Sequence, residues 1–329
     1  MAVRIVTDST TDLTAEEIAE HNIRIITLSL IFDGQAHKET ELDLDAFYER
    51  LPDLSQLPTS AQPTPEAIQS AFLEVLDGGD DVLAVLLSSG ISGTFETAHM
   101  VANQIRQQRP EARIAIVDSK AASRAEAFAV LEAAHLAADG ADLDTCAAAA
   151  EAVVDRTRFL FAPHSLEYLR SGGRIGRASA LVGSALKLVP ILEPDKEHGM
   201  VHAMAKVRTF SRALVAIKDR MLADIEERGG LRQICVHYAA DKASALDFRK
   251  RFVDPLVNNA PVRVSVVSPV VGTHTGPAFG LVYVTERPVL GDTGKGRLSA
   301  LRERASDLGE KAKEKLGEYV HRDHGDTRD

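Results

Sequence analysis

Cysteine is nearly absent from this 329-residue chain: only Cys146 and Cys235 occur, far apart and in no metal-ligand spacing, and both read as buried, inert thiols. No run of about 18 apolar residues is present and no charged-then-apolar leader follows Met1, which predicts no membrane-spanning helix, no secretory signal and a cytoplasmic location. An excess of basic residues is missing too. With 38 Lys and Arg against 48 Asp and Glu, the formal net charge of -10 argues against a nucleic-acid surface. The 11 histidines are scattered, without His-Glu-x-x-His or paired spacing, so nothing requires a metal or other cofactor. Walker, Gly-x-Gly-x-x-Gly and Gly-x-Ser-x-Gly patterns are all absent, which sets nucleotide binding and the usual serine-hydrolase elbow behind other readings.

What remains is an ordinary globular composition, 45% hydrophobic and 26% charged, on a length suited to two domains. Strand, loop and helix patterns alternate along it. Val3 to Thr7 is β-rich, Asp8-Ser9-Thr10-Thr11-Asp12 follows, and a helix runs from Thr14 to His21. Ile23 to Phe32 reads as one strand, with Asp33-Gly34 as a hairpin turn. A helix at Leu44 to Arg50 precedes an extended, hydroxyl-bearing loop from Pro58 to Pro65. Strands Val82 to Leu87 and Ile114 to Val117, then helices near Ser123 to Asp139 and Leu143 to Asp155, complete the first half. A change of composition at Arg156-Thr157-Arg158 sets a boundary, giving domains 1–157 and 158–286 and a charged tail, 287–329, with a helix at Leu298 to Tyr319. The second half places strands at Phe159 to Ala162, Val189 to Leu192, Met200 to Val207, Gln233 to Tyr238, Val262 to Val267 and Leu281 to Val284. Helices at Ser165 to Arg170, up to Lys187, Ser211 to Glu227 and near Ala243 to Val253 separate them.

The stretch around which the chain is organised is Ser88-Ser89-Gly90-Ile91-Ser92-Gly93-Thr94, between a buried strand and a helix carrying Phe95, Ala98, Val101, Ala102 and Ile105 on one face. Small residues, hydroxyls and free N–H groups meet the positive end of a helix dipole there, which suits an anion. On the stretch alone, the plainer reading is that Ser92 or Thr94 merely caps the helix. Asp8 and Ser9 hold the corresponding place after the first strand, where ligands bind in open α/β sheets, and they equally suit a turn. Arg170, Arg174, Arg177, Lys206 and Arg208 gather positive charge on an acidic chain, and His274 reads as part of a glycine-flanked turn.

Taken in order, seven short motifs resemble the DegV family over about Val3 to Val284. They are Asp8-Ser9-Thr10, Thr59-Ser60 through Gln62-Pro63, Ser88 to Thr94, Val117-Asp118-Ser119, Leu166 to Leu169 through Gly172-Gly173-Arg174-Ile175, Lys206-Val207-Arg208-Thr209, and Gly272-Thr273-His274-Thr275-Gly276-Pro277. The resemblance implies an α/β fold of two domains, a parallel-sheet N-terminal one and a mixed-sheet C-terminal one, with the ligand between them. That ligand is expected to be a long-chain fatty acid in a tunnel, its carboxylate at the domain interface. The family is similar to the binding subunit of bacterial fatty acid kinase, which has no catalytic role of its own and presents the carboxylate to a separate kinase subunit for conversion to an acyl phosphate. On that analogy Ser60, Ser92 and His274 bind the carboxylate, and Arg174 and Arg208 face the kinase partner or steady the headgroup. Where the family commonly has Thr-Ser-Gln-Pro this chain has Ser60-Ala61-Gln62-Pro63, one hydroxyl fewer. The tail past the histidine motif has no counterpart in it.

A rival reading is a serine-dependent acyl hydrolase or acyltransferase, with Ser92 attacking, His274 as base and Asp8 or Asp118 orienting it; triads are defined by geometry, so the chain order permits it. A third is a sugar- or nucleotide-binding α/β protein whose small-residue loops meet phosphate.

Overall fold

The computed structural model describes residues 2–289 except 55, 182–187 and 259. The expected tail helix, Leu298 to Tyr319, and the end of the helix expected up to Lys187 lie outside the described residues.

The first half runs β1 (Val3–Asp8), α1 (Ala15–Glu20), β2 (Arg24–Ile26), β3 (Ser29–Phe32), β4 (Gln35–Lys38), α2 (Leu44–Arg50), β5 (Thr59–Ala61), α3 (Pro65–Asp77), β6 (Asp81–Leu86), α4 (Thr94–Gln108), β7 (Ile114–Asp118), α5 (Arg124–Ala138) and α6 (Leu143–Arg156). The second runs β8 (Thr157–Pro163), α7 (Glu167–Ser171), β9 (Val189–Pro194), β10 (Val201–Val207), α8 (Phe210–Glu227), β11 (Leu231–Ala239), α9 (Lys242–Phe248), β12 (Arg263–Val266), α10 (Pro269–Thr275) and β13 (Ala278–Thr285).

Strands β2-β1-β6-β7 form a parallel sheet in that order. Every residue of β6 is buried, as a strand covered by helices on both faces must be. The second sheet, β10-β9-β8-β13-β11-β12, is mixed: its neighbours are antiparallel except for the β11–β12 edge. This is the α/β architecture, parallel first and mixed second, that the sequence leads one to expect. A third, antiparallel sheet, β4-β3-β5, holds the hairpin expected at Asp33-Gly34; that it stands apart from the parallel sheet is the difference. It arises because the run read as one strand, Ile23 to Phe32, breaks in two: β2 stays on the parallel sheet while β3 leaves it. At the break the Leu28 amide donates to Ser9 Oγ (2.9 Å). Strand β5, expected as loop, pairs with β3 so that Ser60 lies opposite Leu30. The helix expected near Ala243 to Val253 is α-helical only to Phe248 and continues as a π turn, Arg249–Val253.

Helix α5 explains how the sheets are joined. An amphipathic helix buries one stripe, but the buried residues of α5 run around its whole circumference: Ala125, Glu126, Ala127, Phe128, Ala129, Val130, Leu131, Ala133 and Ala134. Its apolar residues share one core with Leu83 and Val85 of the parallel sheet and with Cys235, Val282 and Val284 of the mixed sheet. The two halves therefore grip a common helix. Alanine predominates on it because close approach from both sides leaves room for little more. Both cysteines lie in this core, and burial pushes the Cys235 thiol up to about 12, which leaves it unreactive.

A larger side chain on α5 has nowhere to go. Ala129→Leu should destabilise the protein by about 1–3 kcal/mol through overpacking, read as a lowered midpoint in chemical denaturation. A wild-type midpoint would contradict this account of how the sheets are coupled.

Candidate functional site

A cavity of about 410 Å³ lies between the halves. Leu28, Leu87, Ala121 and Ala122 line it from the first half, and Phe159, Phe161, Val201, Val270 and Val271 from the second. Ala121 and Ala122 belong to a tight loop after β7 in which Lys120 and Ser123 adopt positive φ (53° and 61°), and the small side chains leave the chamber open.

The polar residues of the lining gather in one place. Ser60 Oγ and His274 Nε2 are 2.7 Å apart. Arg174 stands close enough to His274 to act on its ionisation, and its Nε donates to the Ile91 carbonyl (3.2 Å), next to Ser92. A second Arg174 bond, Nη1 to the Gly172 carbonyl (2.6 Å), fixes the fork. Gln62, also in the lining, donates through Nε2 to Thr97 Oγ1 on α4 (2.9 Å) and so ties the Ser60 strand to the Ser92 loop. Ser92 Oγ bonds to Thr94 Oγ1 (2.9 Å) and accepts from the Thr94 amide (3.3 Å). The cap residue of α4 is Gly93, so Ser92 stands just before the helix.

The structure thus brings Ser60, Ser92, His274 and Arg174 to one cavity wall. Arg208 is different: it is exposed just past β10 and outside the cavity lining. One expectation needs correcting. His274 is not in a turn but in the last turn of α10, because Ser268 Oγ caps that helix, Pro269 starts it and Gly276, at φ 60°, ends it. It is 9% exposed, and burial, helped by Arg174, lowers its pKa to about 4, so the ring is neutral near pH 7. Its Nδ1 is buried without a hydrogen-bond partner among the described residues.

That unpartnered nitrogen bears on the triad reading. Asp8 already accepts from the Leu87 amide (2.8 Å), the Thr10 amide (3.0 Å) and Thr10 Oγ1 (2.7 Å). Asp118 accepts from Ser89 Oγ (2.6 Å) and the Ser89 and Lys120 amides (3.2 and 2.9 Å). Both hold loops, and neither orients His274.

Some supporting residues carried no readable signal. Glu39, 3% exposed, accepts from the Val270 amide of α10 (3.0 Å) and from Ser9 Oγ. Tyr48 OH donates to the Val267 and Ser268 carbonyls (2.9 and 3.2 Å). Together they hold the start of α10, and hence His274, against the first half. Thr10 Oγ1 lies 2.7 Å from Asp8 Oδ1 and 3.1 Å from Glu126 Oε2. A hydroxyl carries one hydrogen, so one carboxyl of this pair supplies the other, in line with the upward shift that burial imposes on both.

The interface between halves is close. Ser88 Oγ donates to the Gly199 carbonyl (3.0 Å). A Cβ on Gly90 would fall 2.2 Å from the His198 carbonyl oxygen, and one on Gly199 would fall 1.9 Å from Ser88 Oγ.

Fold and site define an α/β protein with an apolar chamber between its two halves and one cluster of hydrogen-bond donors in the chamber wall. The chain belongs to the DegV family: the family model described as "Uncharacterised protein, DegV family" matches residues 2–286. A DegV domain-containing protein of Clostridium acetobutylicum is 37% identical over 290 residues, spanning 87% of this chain and 99% of that one. Among solved structures, a DegV family protein from Thermus thermophilus described for its fatty acid binding superposes with a TM-score of 0.76 at 29% identity, covering 87% of this chain and 100% of that one. DegV of Bacillus subtilis, described as a fatty acid binding protein, gives 0.76 at 28% identity, covering 87% and 99%.

Burial raises the Glu39 pKa from 4.5 to about 7. Between those values the unfolded chain has released a proton that the folded one keeps, so rising pH favours unfolding, by about 3 kcal/mol across the window. His274 and His237, lowered to about 4 and about 3, act in the opposite sense below pH 6.5. Glu39→Gln should therefore lose less thermal stability than wild type between pH 5 and pH 8. Parallel melting-temperature profiles for the two proteins would refute this.

Proposed function

We propose that this chain binds a long-chain fatty acid, its acyl chain in the cavity and its carboxylate against Ser60, Ser92 and His274, and that it presents this headgroup to a fatty acid kinase subunit. The observation that carries the reading is one apolar chamber whose hydroxyls, imidazole and guanidinium meet in one place. The fatty acid binding of the two relatives supports it.

The energetics agree. A buried methylene contributes roughly 0.8 kcal/mol, so about ten of them outweigh the cost of bringing a carboxylate out of water, provided donors meet it. A neutral His274 can donate from Nε2 to Ser60 Oγ, which frees the serine hydroxyl for the carboxylate. Arg174 adds positive charge beside them. An acyl hydrolase is less well supported: Ser92 Oγ is engaged with Thr94, and among the described residues no carboxylate orients His274.

Denaturing extraction and mass spectrometry of the purified protein should release a free fatty acid without a covalent adduct. Protein that is lipid-free and takes up no added fatty acid would end the proposal. Ser60→Ala, Ser92→Ala and His274→Ala should each weaken retention by roughly ten- to a hundredfold, the value of a hydrogen bond to a charged group. The Ser60/His274 double variant should fall short of the product of the single effects, because the two act as one unit. Unchanged affinity in all three would remove the site.

The exposed Lys206, Arg208, Arg170 and Arg177 then form the docking face for an acidic kinase surface. Such charges act mainly on encounter rate and are screened by salt. Arg208→Ala should slow acyl phosphate formation by a kinase subunit at low salt, leave fatty acid content unchanged, and lose its effect at high salt. Normal turnover at every salt concentration would disprove the docking role.

A further inference from the structure

Two small chambers of about 20 Å³ each adjoin the main cavity. One, bounded by His237, Tyr238, Val267 and Gly280, meets the main cavity at Phe159, Phe161, Val271 and Thr275. The other, bounded by Arg158, Glu193 and Lys196, meets it at Ala121, Phe159 and Pro194. Among the described residues, Phe159 is the one that lines all three. It sits in β8, half-buried, its ring against Phe161 (5.7 Å between centroids) and His237 (6.0 Å). Behind it Gly280 of β13 has no side chain, and a Cβ there would lie 3.2 Å from Phe159 Cε2. The ring occupies space that a missing side chain leaves open.

We propose that Phe159 is the stop that sets acyl chain length, which rests on the fatty-acid reading above: its ring separates the main cavity from both side chambers, so the length of the acid that fits ends at the ring. The chambers differ in character. The one beside Gly280 is walled mainly by apolar groups, whereas the one beside Lys196 is walled by a buried ion pair, Arg158 Nη1 to Glu193 Oε2 at 2.6 Å. An acyl chain freed from the stop therefore extends toward Gly280, where its methylenes lose no ionic partner.

The test is competition among saturated fatty acids of increasing length, offered as an equimolar mixture to delipidated protein and read by native mass spectrometry. Phe159→Ala and the milder Phe159→Leu should move the preferred acid to longer chains. Each added methylene that finds room raises affinity about fourfold, so an acid longer by about two carbons should gain roughly fifteenfold over its standing with wild type. Gly280→Ala should push the ring inward and favour shorter acids. If wild type and both Phe159 variants take up fatty acid with the same length distribution, the stop is refuted while the binding function stands. If none of them takes up fatty acid, the binding function itself falls.

Discussion

Helix α5 is the constraint on which the rest depends. A helix packed on both sides cannot shift toward one sheet without opening a void against the other, and voids in a close-packed core are costly. The parallel and mixed sheets are thereby held at a set separation, and the chamber beside them keeps its width. Selectivity for ligand length needs such walls. A chamber between loosely docked domains would adapt to whatever entered it.

A layer of ionisable groups surrounds the chamber without entering it. Asp8, Glu39 and Glu126 are buried, each raised in pKa, and each is bonded to a backbone amide or hydroxyl on another element. Asp12, raised to about 8 by burial and by Glu39, lies 3.6 Å from His237. Because burial raises their pKa values, these groups fix loops at less desolvation cost than full anions would bear. Among the described residues of the cavity wall, Arg174 is the charged side chain. Positive potential inside the chamber is therefore local, concentrated beside Ser60 and His274.

Local sequence carried most of the architecture. The burial of β6, the hydroxyl loop at its end and the apolar face of α4 follow from residue order alone, and so did the parallel first sheet. The β3–β4 hairpin is legible at Asp33-Gly34, but its separation into a third sheet is not, because the bend at Thr27-Leu28 has no glycine or proline; a long-range bond from the Leu28 amide to Ser9 marks it. His274 was legible as a candidate but was expected in a turn, since glycines on either side outweighed the Ser268-Pro269 start that makes α10 a helix. Ser60 and Ser92 are legible as candidates, yet nothing local tells that Ser60 meets His274 across 214 positions. Glu39 and Glu126 are hidden because a glutamate is unremarkable beside a hairpin or in a first helical turn, and only tertiary burial makes them unusual. Phe159 read as one more strand residue.

The close approach of Gly90 and Gly199 limits how this protein can change over generations. Each lies in a different half, and a methyl group on either drives into the facing loop, at the His198 carbonyl or at Ser88. A substitution at one position would wedge the halves apart beside the cavity and alter its mouth, whatever happened at the other. The two loops can diverge in sequence around those points, but the points themselves must be inherited together.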